Sequence, residues 1–259
     1  METNTEKKCL NKMESIDSLF KAAQDGSIEA QFTLGHRYND GIGVEKDMGL
    51  AFFWWHMVAE QGEASAQFNV GNCYNKGDGV AKNEKQAIFW WNKAAEQGHP
   101  KAQFALANCY ALGDVVDENH ERATFLARKA AEQGHAKAQF WLGLCYIEGS
   151  FGLIKDEQQG LDWVRKSAEQ GDANAQHRLG FCYYFNSGLA KDDKQAVYWW
   201  RKAAEQGQAM AQFCLGNRYY DGEGVEEDLE QALFWWSKAA EQGFADAQQS
   251  LDEIKNNKL

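Results

Sequence analysis

A 36-residue period constrains this 259-residue chain more than any other feature of its sequence. The same alanine returns at intervals of 36, 36, 36, 37, 36 and 36 residues, at Ala30, Ala66, Ala102, Ala138, Ala175, Ala211 and Ala247. A fixed period of about 20–50 residues is typical of stacked supersecondary units, each of which buries its apolar face against its neighbours. The period therefore predicts one elongated repeat domain instead of two globular domains.

The repeat that begins at Ala66 contains two amphipathic helical patterns. The first places small and apolar residues on one side of a helix, at Ala66, Val70, Gly71 and Tyr74. Gly77 and Gly79 then supply the backbone freedom that a sharp reversal needs. The second pattern forms one broad apolar stripe at Ala87, Trp90, Trp91, Ala94 and Ala95, and Gly98 follows as a C-terminal helix glycine. Each repeat is therefore expected to fold as a helical hairpin.

The array resembles the Sel1-like repeat family, which is related to the tetratricopeptide repeats. The matching motif reads Ala-x-x-x-Leu-Gly-x-x-Tyr, Gly-x-Gly-Val and Ala-x-x-Trp-x-x-x-Ala-Ala-Glu-Gln-Gly, and it is most complete in the repeats that start at Ala30, Ala66 and Ala211. The resemblance extends from about Leu19 to Leu251. It implies an all-α, right-handed α/α solenoid of tetratricopeptide-like hairpins, and a role as an adaptor or scaffold.

The pattern predicts the following organisation along the chain. Residues 1–14 are polar and are expected to form a flexible tail, and residues 15–259 are expected to form the single solenoid. Within the solenoid, a capping helix at 15–25 precedes six repeats at about 29–245, and a second capping helix at 246–256 closes the array. Polar outer faces on these end helices are what terminal repeats require.

Charge and hydropathy exclude several classes of protein. The net charge of −11 disfavours binding to a phosphate backbone, so no nucleic-acid partner is expected. No apolar run approaches the roughly 18 residues of a membrane helix, and no basic amphipathic stretch indicates a membrane surface. The polar N-terminus has no apolar signal core, which predicts a cytoplasmic protein, with secretion by a signal-independent route as the alternative.

The positions of the cysteines predict free thiols. Four of the six occupy equivalent positions in successive repeats, at Cys73, Cys109, Cys145 and Cys182. Equivalent points on packed helices lie roughly 8–10 Å apart, beyond the reach of a disulfide. We therefore expect small buried hydrophobic side chains in a reducing compartment. Arg37 and Arg218 replace the cysteine in the first and last repeats, where the ends of the array are expected to meet water.

No group of residues indicates catalysis, a metal ion or a cofactor. The tryptophan pairs lie on the core stripe of the second helices, so they are expected to pack instead of forming a stacking platform. The histidines lack metal-ligand spacing, and His99 and His135 are expected to be exposed turn residues. No glycine motif precedes a P-loop lysine. The sequence therefore predicts a non-enzymatic protein.

The first helices carry the candidate binding residues. The residue two positions after the repeat alanine is Phe32, Phe68, Phe104, Phe140, His177 or Phe213, and the residue six positions after it is His36, Asn72, Asn108, Leu144, Phe181 or Asn217. The resemblance implies that first helices line a concave surface. Aromatic rings beside asparagine amides suit an extended peptide, whose main chain the amides can bind. Packing of the phenylalanines between neighbouring first helices is the alternative, whereas the asparagines have no comparable packing role.

The middle of this surface is expected to be the most apolar part. The predicted partner-binding residues are Phe68, Asn72, Phe104, Asn108, Phe140, Trp141, Leu144, Phe181, Tyr184 and Asn217. Trp141 is expected to be an anchor because other repeats have small or polar residues at its position. The alternative is that Trp141 fills the volume vacated by Leu126 and Ala127, which replace a tryptophan pair.

The sequence thus predicts a monomeric interaction scaffold that binds a protein or peptide on its concave face. Two other functions remain open. One is hydrolysis of a cell-wall or β-lactam-like substrate, as proposed for cysteine-rich relatives of the family. The other is a secreted effector or adaptor that acts on a protein of a host or neighbouring cell.

Overall fold

The structure, a computed structural model, describes residues 15–256. Within this range it contains fourteen α-helices and no strand, which confirms the all-α prediction. The predicted tail at 1–14, including Cys9, lies outside the described residues. The helices group into two compact units, an N-terminal unit that ends at Asn119 and a C-terminal unit that begins at His120.

Within each unit, consecutive helices pack against one another. The N-terminal unit contains α1 (Ile16–Gln24), α2 (Ile28–Asp40), α3 (Met48–Glu60), α4 (Ala64–Lys76), α5 (Glu84–Glu96) and α6 (Pro100–Leu112). The C-terminal unit contains α7 (His120–Glu132), α8 (Ala136–Glu148), α9 (Glu157–Glu169), α10 (Ala173–Tyr184), α11 (Asp193–Glu205), α12 (Ala209–Asp221), α13 (Leu229–Glu241) and α14 (Ala245–Asn256). From α2 to α13, even-numbered helices are the first helices of the repeats and odd-numbered helices are the second.

Side chains and glycines set the helix ends. Asn83 caps α5 by accepting a hydrogen bond from the backbone N–H of Gln86, and aspartates cap the equivalent helices α3, α9, α11 and α13. First helices end at a left-handed glycine, such as Gly77 with φ of 82°, except α10, which ends at Phe185. His99 and His135 cap α6 and α8 through their Nδ1 atoms and are half-buried, so their predicted exposure is wrong.

The tryptophan pairs form the core, as predicted. Seven of the eight side chains are buried, and Trp235 is half-buried. The second indole of each pair packs against a helical glycine of the preceding first helix. A Cβ atom on Gly71 would lie 2.5 Å from Cδ1 of Trp91, and one on Gly180 would lie 2.5 Å from Cδ1 of Trp200. Glycine at this position therefore makes room for the indole.

Buried glutamines connect the repeats through a recurring hydrogen-bond pattern. Gln67 donates from Nε2 to the carbonyl oxygen of Ala59 in the preceding helix at 3.2 Å. It accepts a hydrogen bond from Nε2 of Gln97, at the end of its own repeat, at 2.9 Å. The same two bonds recur at Gln31, Gln176 and Gln212. These amides satisfy otherwise unpaired backbone carbonyls inside the stack.

Candidate functional site

The first helices of each unit line a cleft that contains predicted partner-binding residues. The N-terminal cleft has a volume of about 400 Å³, and it is lined by Asn72, Asn75, Glu84, Trp91, Ala105, Asn108, Cys109, Leu112, Asp114 and Val115. It brings together two of the predicted residues, Asn72 and Asn108. Its wall is rich in amides and carboxylates, with Leu112 as an exposed apolar side chain.

Asn72 has a packing role that the sequence analysis missed. The Nε1–H of Trp91 donates to Oδ1 of Asn72 at 3.2 Å, and the Nε1–H of Trp236 donates to Oδ1 of Asn217 at 2.8 Å. The expectation that the asparagines have no comparable packing role is therefore wrong for Asn72 and Asn217. Because the oxygen is occupied by the indole, each amide directs its two N–H donors away from the core. Neither Nδ2 atom donates to another described residue.

The N-terminal cleft is electrically negative at its thiol. Burial raises the pKa of Cys109, and the carboxylates of Glu84 and Asp114 raise it further. Glu84 also forms an ion pair with Lys82, at 2.8 Å between Nζ and Oε1. The cleft thus presents hydrogen-bond donors from amides beside negative charge from carboxylates.

The C-terminal cleft has the same position in the repeats and different chemistry. Its volume is about 360 Å³, and it is lined by His177, Phe181, Tyr184, Phe185, Trp200, Met210, Phe213, Cys214, Asn217, Arg218, Phe244 and Asp246. Three of the predicted residues meet here, namely Phe181, Tyr184 and Asn217. Phe181 packs on Phe185 with ring centroids 4.4 Å apart. The walls are therefore mainly aromatic.

Two buried donors of residues that line the C-terminal cleft lack an acceptor, the Nε–H of Arg218 and the Nε1–H of Trp200. Trp200 is 2% exposed, and its Nε1–H has no hydrogen-bond partner among the described residues. The residue that would accept is asparagine in the second and sixth repeats, but it is Phe181 in the fifth. A buried donor without a partner costs about 1–3 kcal/mol.

Arg218 is buried, which corrects the expectation that it meets water at the end of the array. Its residue exposure is 7%, and its guanidinium forms ion pairs with Glu223 and, at 3.1 Å, with Asp221. It also lies 4.2 Å from the ring centroid of Tyr184. Two carboxylates, one at the last residue of α12 and one in the turn that follows it, thus compensate this charge inside the unit.

Arg178 is a second cation beside the C-terminal cleft, and it forms no ion pair with a described residue. Its guanidinium carbon lies 5.5 Å from the ring centroid of Phe181. Burial lowers the pKa of His177, and the positive charge of Arg178 lowers it further. His177 is therefore neutral near pH 7, and it adds no charge to the cleft wall.

The other predicted residues line neither of these two clefts. Phe140 packs against the core around Val164 and Leu179, and Phe68 stacks on His99 with centroids 5.0 Å apart. Both contacts favour the packing alternative for the aromatic series. Phe104 and Leu144 are half-buried in the N-terminal and C-terminal units, respectively.

Trp141 packs against the turn that contains the one-residue insertion. Its ring centroid lies 5.0 Å from that of Phe151, a residue with φ of 52°. The Thr124 hydroxyl donates to the carbonyl oxygen of Phe151 at 2.9 Å. Phe151 thus gives Trp141 a local partner that neither prediction for this side chain included.

A series of exposed rings on the second helices was not predicted from the sequence. Each precedes the tryptophan-pair position by one residue and is 45–56% exposed, at Phe53, Phe89, Phe125, Tyr198 and Phe234. A lysine four residues later covers several of them, as Lys93 covers Phe89 at 4.7 Å. Lysine stems shield such rings from water. The helical spacing alone places these rings opposite the core stripe.

The described cysteines are free, as predicted, at Cys73, Cys109, Cys145, Cys182 and Cys214. Burial raises the pKa of Cys73 and of Cys145 to about 11, so both are neutral thiols at pH 7. Between residues 15 and 256, no group of histidine, cysteine, aspartate and glutamate side chains is arranged to hold a metal ion. No helix in this range is long and apolar enough to cross a membrane.

Comparison with known proteins identifies the repeats. The Sel1 repeat family matches residues 28–63, 64–99, 100–135, 136–172, 173–208 and 209–244. No protein with a curated description matches the sequence. A structure of a Sel1 repeat protein from Oxalobacter formigenes is 30% identical with a TM-score of 0.79, and the match covers 88% of this chain and 99% of that one.

Two further structures are similar. A protective antigen of uropathogenic Escherichia coli strains, described as displaying an SLR fold, is 38% identical with a TM-score of 0.81. The match covers 92% of this chain and 51% of the antigen, so this chain spans about half of that protein's length. An immunity protein from Pseudomonas aeruginosa is 21% identical with a TM-score of 0.55, covering 85% of this chain and 83% of that one, and it shares the fold alone.

Proposed function

Because the chain belongs to the Sel1 repeat family, whose members are generally protein-interaction scaffolds, we propose that it is a non-enzymatic scaffold that binds an extended segment of a partner protein in its first-helix clefts. The partner is a protein or peptide, and no nucleic acid or membrane takes part. The repeat fold is typically a non-catalytic scaffold.

The observation that carries this proposal is the orientation of the asparagine amides. The indole of Trp236 holds Oδ1 of Asn217, which leaves the amide N–H donors for a ligand. The same arrangement recurs 145 residues earlier at Asn72 and Trp91. A preorganised donor beside a cleft suits the main-chain carbonyl of an extended segment.

The volume and walls of the clefts support the same occupant. About 360–400 Å³ accommodates one or two side chains of a peptide. Rings such as Phe181 and Phe213 offer rigid apolar contact area at low cost in conformational entropy. Partner side chains that fill clefts of this kind supply most of the binding energy of an interface.

Site-specific photo-crosslinking tests the proposal. We would place p-benzoylphenylalanine at Phe181 and Asn108 in the clefts, and at Phe89 and Phe234 on the second helices as matched controls. Each variant is expressed in its native cell and irradiated, and adducts are identified by mass spectrometry. We expect the same partner adducts from cleft positions and none from the controls. Adducts that form only at the second helices would exclude the clefts as the binding surface.

A further inference from the structure

The donors around the C-terminal cleft indicate the chemical class of its ligand. We propose that this cleft binds a partner segment in which a bulky apolar side chain stands next to one aspartate or glutamate. The proposal deepens the proposed function and rests on it. It combines the aromatic wall, the unpaired indole N–H of Trp200 and the unpaired guanidinium of Arg178.

The apolar part of the ligand is indicated by the walls. Phe181, Phe185 and Phe213 form much of the cleft, and Phe185 is 58% exposed. An exposed ring at a cleft edge gains free energy when another apolar side chain covers it. A phenylalanine, leucine, methionine or tryptophan of the partner fits a volume of about 360 Å³.

The acidic part of the ligand is indicated by buried hydrogen-bond donors that have no acceptor among the described residues. They are the Nε1–H of Trp200 and the Nε–H groups of Arg178 and Arg218. Trp200 and Arg218 line the cleft, and Arg178 lies beside it, over the ring of Phe181. The amide N–H groups of Asn217 also remain for a ligand, because the indole of Trp236 occupies its oxygen. A carboxylate accepts several hydrogen bonds and donates none, so it complements this set better than an amide or an ammonium.

Charge limits the ligand to a single acidic residue. Arg178 is the cation without an ion pair, since Arg218 is compensated by Asp221 and Glu223. Asp246 also lines the cleft, and it repels a second carboxylate. The acid is therefore expected beside Phe181, over which Arg178 lies.

Phe181 occupies the repeat position from which asparagine accepts the indole hydrogen bond in the second and sixth repeats. The protein therefore offers the Trp200 N–H no acceptor at this position, and the ligand carboxylate supplies one. The hydrogen bond that the fifth repeat lacks in the free protein then forms in the complex.

Selection from a phage-displayed library of random heptapeptides on the full chain tests this inference. Two variants probe the cleft. Phe181→Asn restores the residue of the other repeats, and Arg178→Gln removes the cation. Phe234→Asn removes an exposed ring from the second helix α13 and serves as the control. Thermal unfolding monitors the fold of each variant.

We expect enriched peptides with aspartate or glutamate within two residues of a bulky apolar residue. A synthetic peptide of the enriched sequence should bind at least about tenfold more weakly after its acid is changed to the amide, the size of one charge-assisted hydrogen bond. Phe181→Asn and Arg178→Gln should weaken binding similarly, and Phe234→Asn should not. In ¹H–¹⁵N spectra, the indole signal that Trp200→Phe removes should shift on binding.

The contrary results separate the two levels of the proposal. Enriched peptides that lack an acid, prefer lysine, or bind Phe181→Asn as tightly as the native chain overturn the ligand class and leave the scaffold function standing. A selection that enriches no peptide on the native chain overturns peptide binding, and the ligand class with it.

Discussion

The N-terminal and C-terminal clefts occupy the same positions of the repeat and differ in polarity. The N-terminal cleft is lined by amides and by the carboxylates of Glu84 and Asp114, whereas the C-terminal cleft is lined by rings and has Arg178 beside it. Part of the difference lies at the residue six positions after the repeat alanine, and part lies nine positions after it, where Asn75 and Tyr184 differ. Asn72 accepts the hydrogen bond of the Trp91 indole and keeps the wall of the N-terminal cleft polar. Phe181 cannot accept one, so the indole N–H of Trp200 is unpaired and the wall of the C-terminal cleft is apolar.

This comparison shows that a single repeat position sets the hydrogen bonding of the indole core and the chemistry of the cleft wall, and under the proposed function it also adjusts recognition. The indole core is constant wherever the second tryptophan is present, and the side chain above it varies among histidine, asparagine and phenylalanine. A change at that position therefore alters the ligand-facing surface and the hydrogen bonding of the core together. If the clefts bind a partner as proposed, recognition in this chain is not independent of folding.

The largest expected effect concerns the indoles beneath the two clefts. Trp91→Ala should lower the free energy of unfolding by about 3–5 kcal/mol, the usual cost of emptying a large core site. Trp200→Ala should cost about 1 kcal/mol less, because it also removes a donor that has no acceptor. Urea unfolding of both variants measures the difference. Equal losses would show that the Trp200 N–H is satisfied in solution.

The glycines beneath the indoles should give the next largest effect. Gly71→Ala and Gly180→Ala place a Cβ atom about 2.5 Å from an indole carbon, so each should lower stability by about 1–3 kcal/mol. The matched site is Ala107, in the repeat where Ala127 stands in place of the indole. Ala107→Gly should lower stability only by its helix propensity, about 1 kcal/mol. Stabilisation by Gly71→Ala in thermal unfolding would contradict the close packing.

Exchanging the cleft residues themselves should have a smaller effect. Asn217→Phe copies the fifth repeat and leaves Trp236 without its acceptor, which should lower stability by about 1 kcal/mol. Asn108→Phe is the control, because its repeat carries Ala127 and has no indole at the equivalent position. Denaturant unfolding should give a loss for Asn217→Phe and little change for Asn108→Phe. An equal loss of stability at both positions would mean that steric effects of the phenylalanine cause it, and not the lost hydrogen bond to the indole.

The smallest effect should be a difference in thiol reactivity between the clefts. Burial raises the pKa of Cys214 to about 11 while Arg218 opposes the rise, whereas carboxylates add to the raised pKa of Cys109. Both thiols are protonated at pH 8 and gain reactivity as the pH rises toward those pKa values.

The test uses an anionic and a neutral thiol reagent, with modified peptides quantified by mass spectrometry. For each thiol, the measured quantity is the rate with the anionic reagent divided by the rate with the neutral reagent. In low salt, this ratio should be a few-fold higher at Cys214 than at Cys109. The preference should disappear in high salt, because ions screen the field. A preference for Cys109 would reverse the assigned polarity of the clefts.

The fold was predictable from the sequence because the core is periodic. The alanine spacing and the tryptophan stripe determine which helix faces are apolar, and the helices, the buried indoles and the free thiols followed from it. Arg218 was misjudged because position at the end of an array suggests exposure. Its carboxylate partners, Asp221 and Glu223, stand three and five residues away, and this local signal was available.

The clefts were less predictable because they depend on pairings between helices. Asn72 and Trp91, like Asn217 and Trp236, are separated by 19 residues, and this constant spacing could have revealed the hydrogen bond. The contact of Trp141 with Phe151 could not be foreseen in this way. It depends on the left-handed backbone of Phe151, in the turn that carries the one-residue insertion.

The buried glutamines have a consequence for how such a chain changes length. Gln67 donates a hydrogen bond to the backbone of the preceding repeat, and it accepts one from the side-chain amide of Gln97 at the end of its own repeat. Each such repeat thus carries the same amide groups for its two junctions, so a duplicated or deleted repeat preserves this hydrogen-bond pattern. In genetic terms, the repeat is an interchangeable cassette. Recombination can lengthen or shorten the array, and thereby combine clefts of different chemistry, without redesign of the surrounding protein.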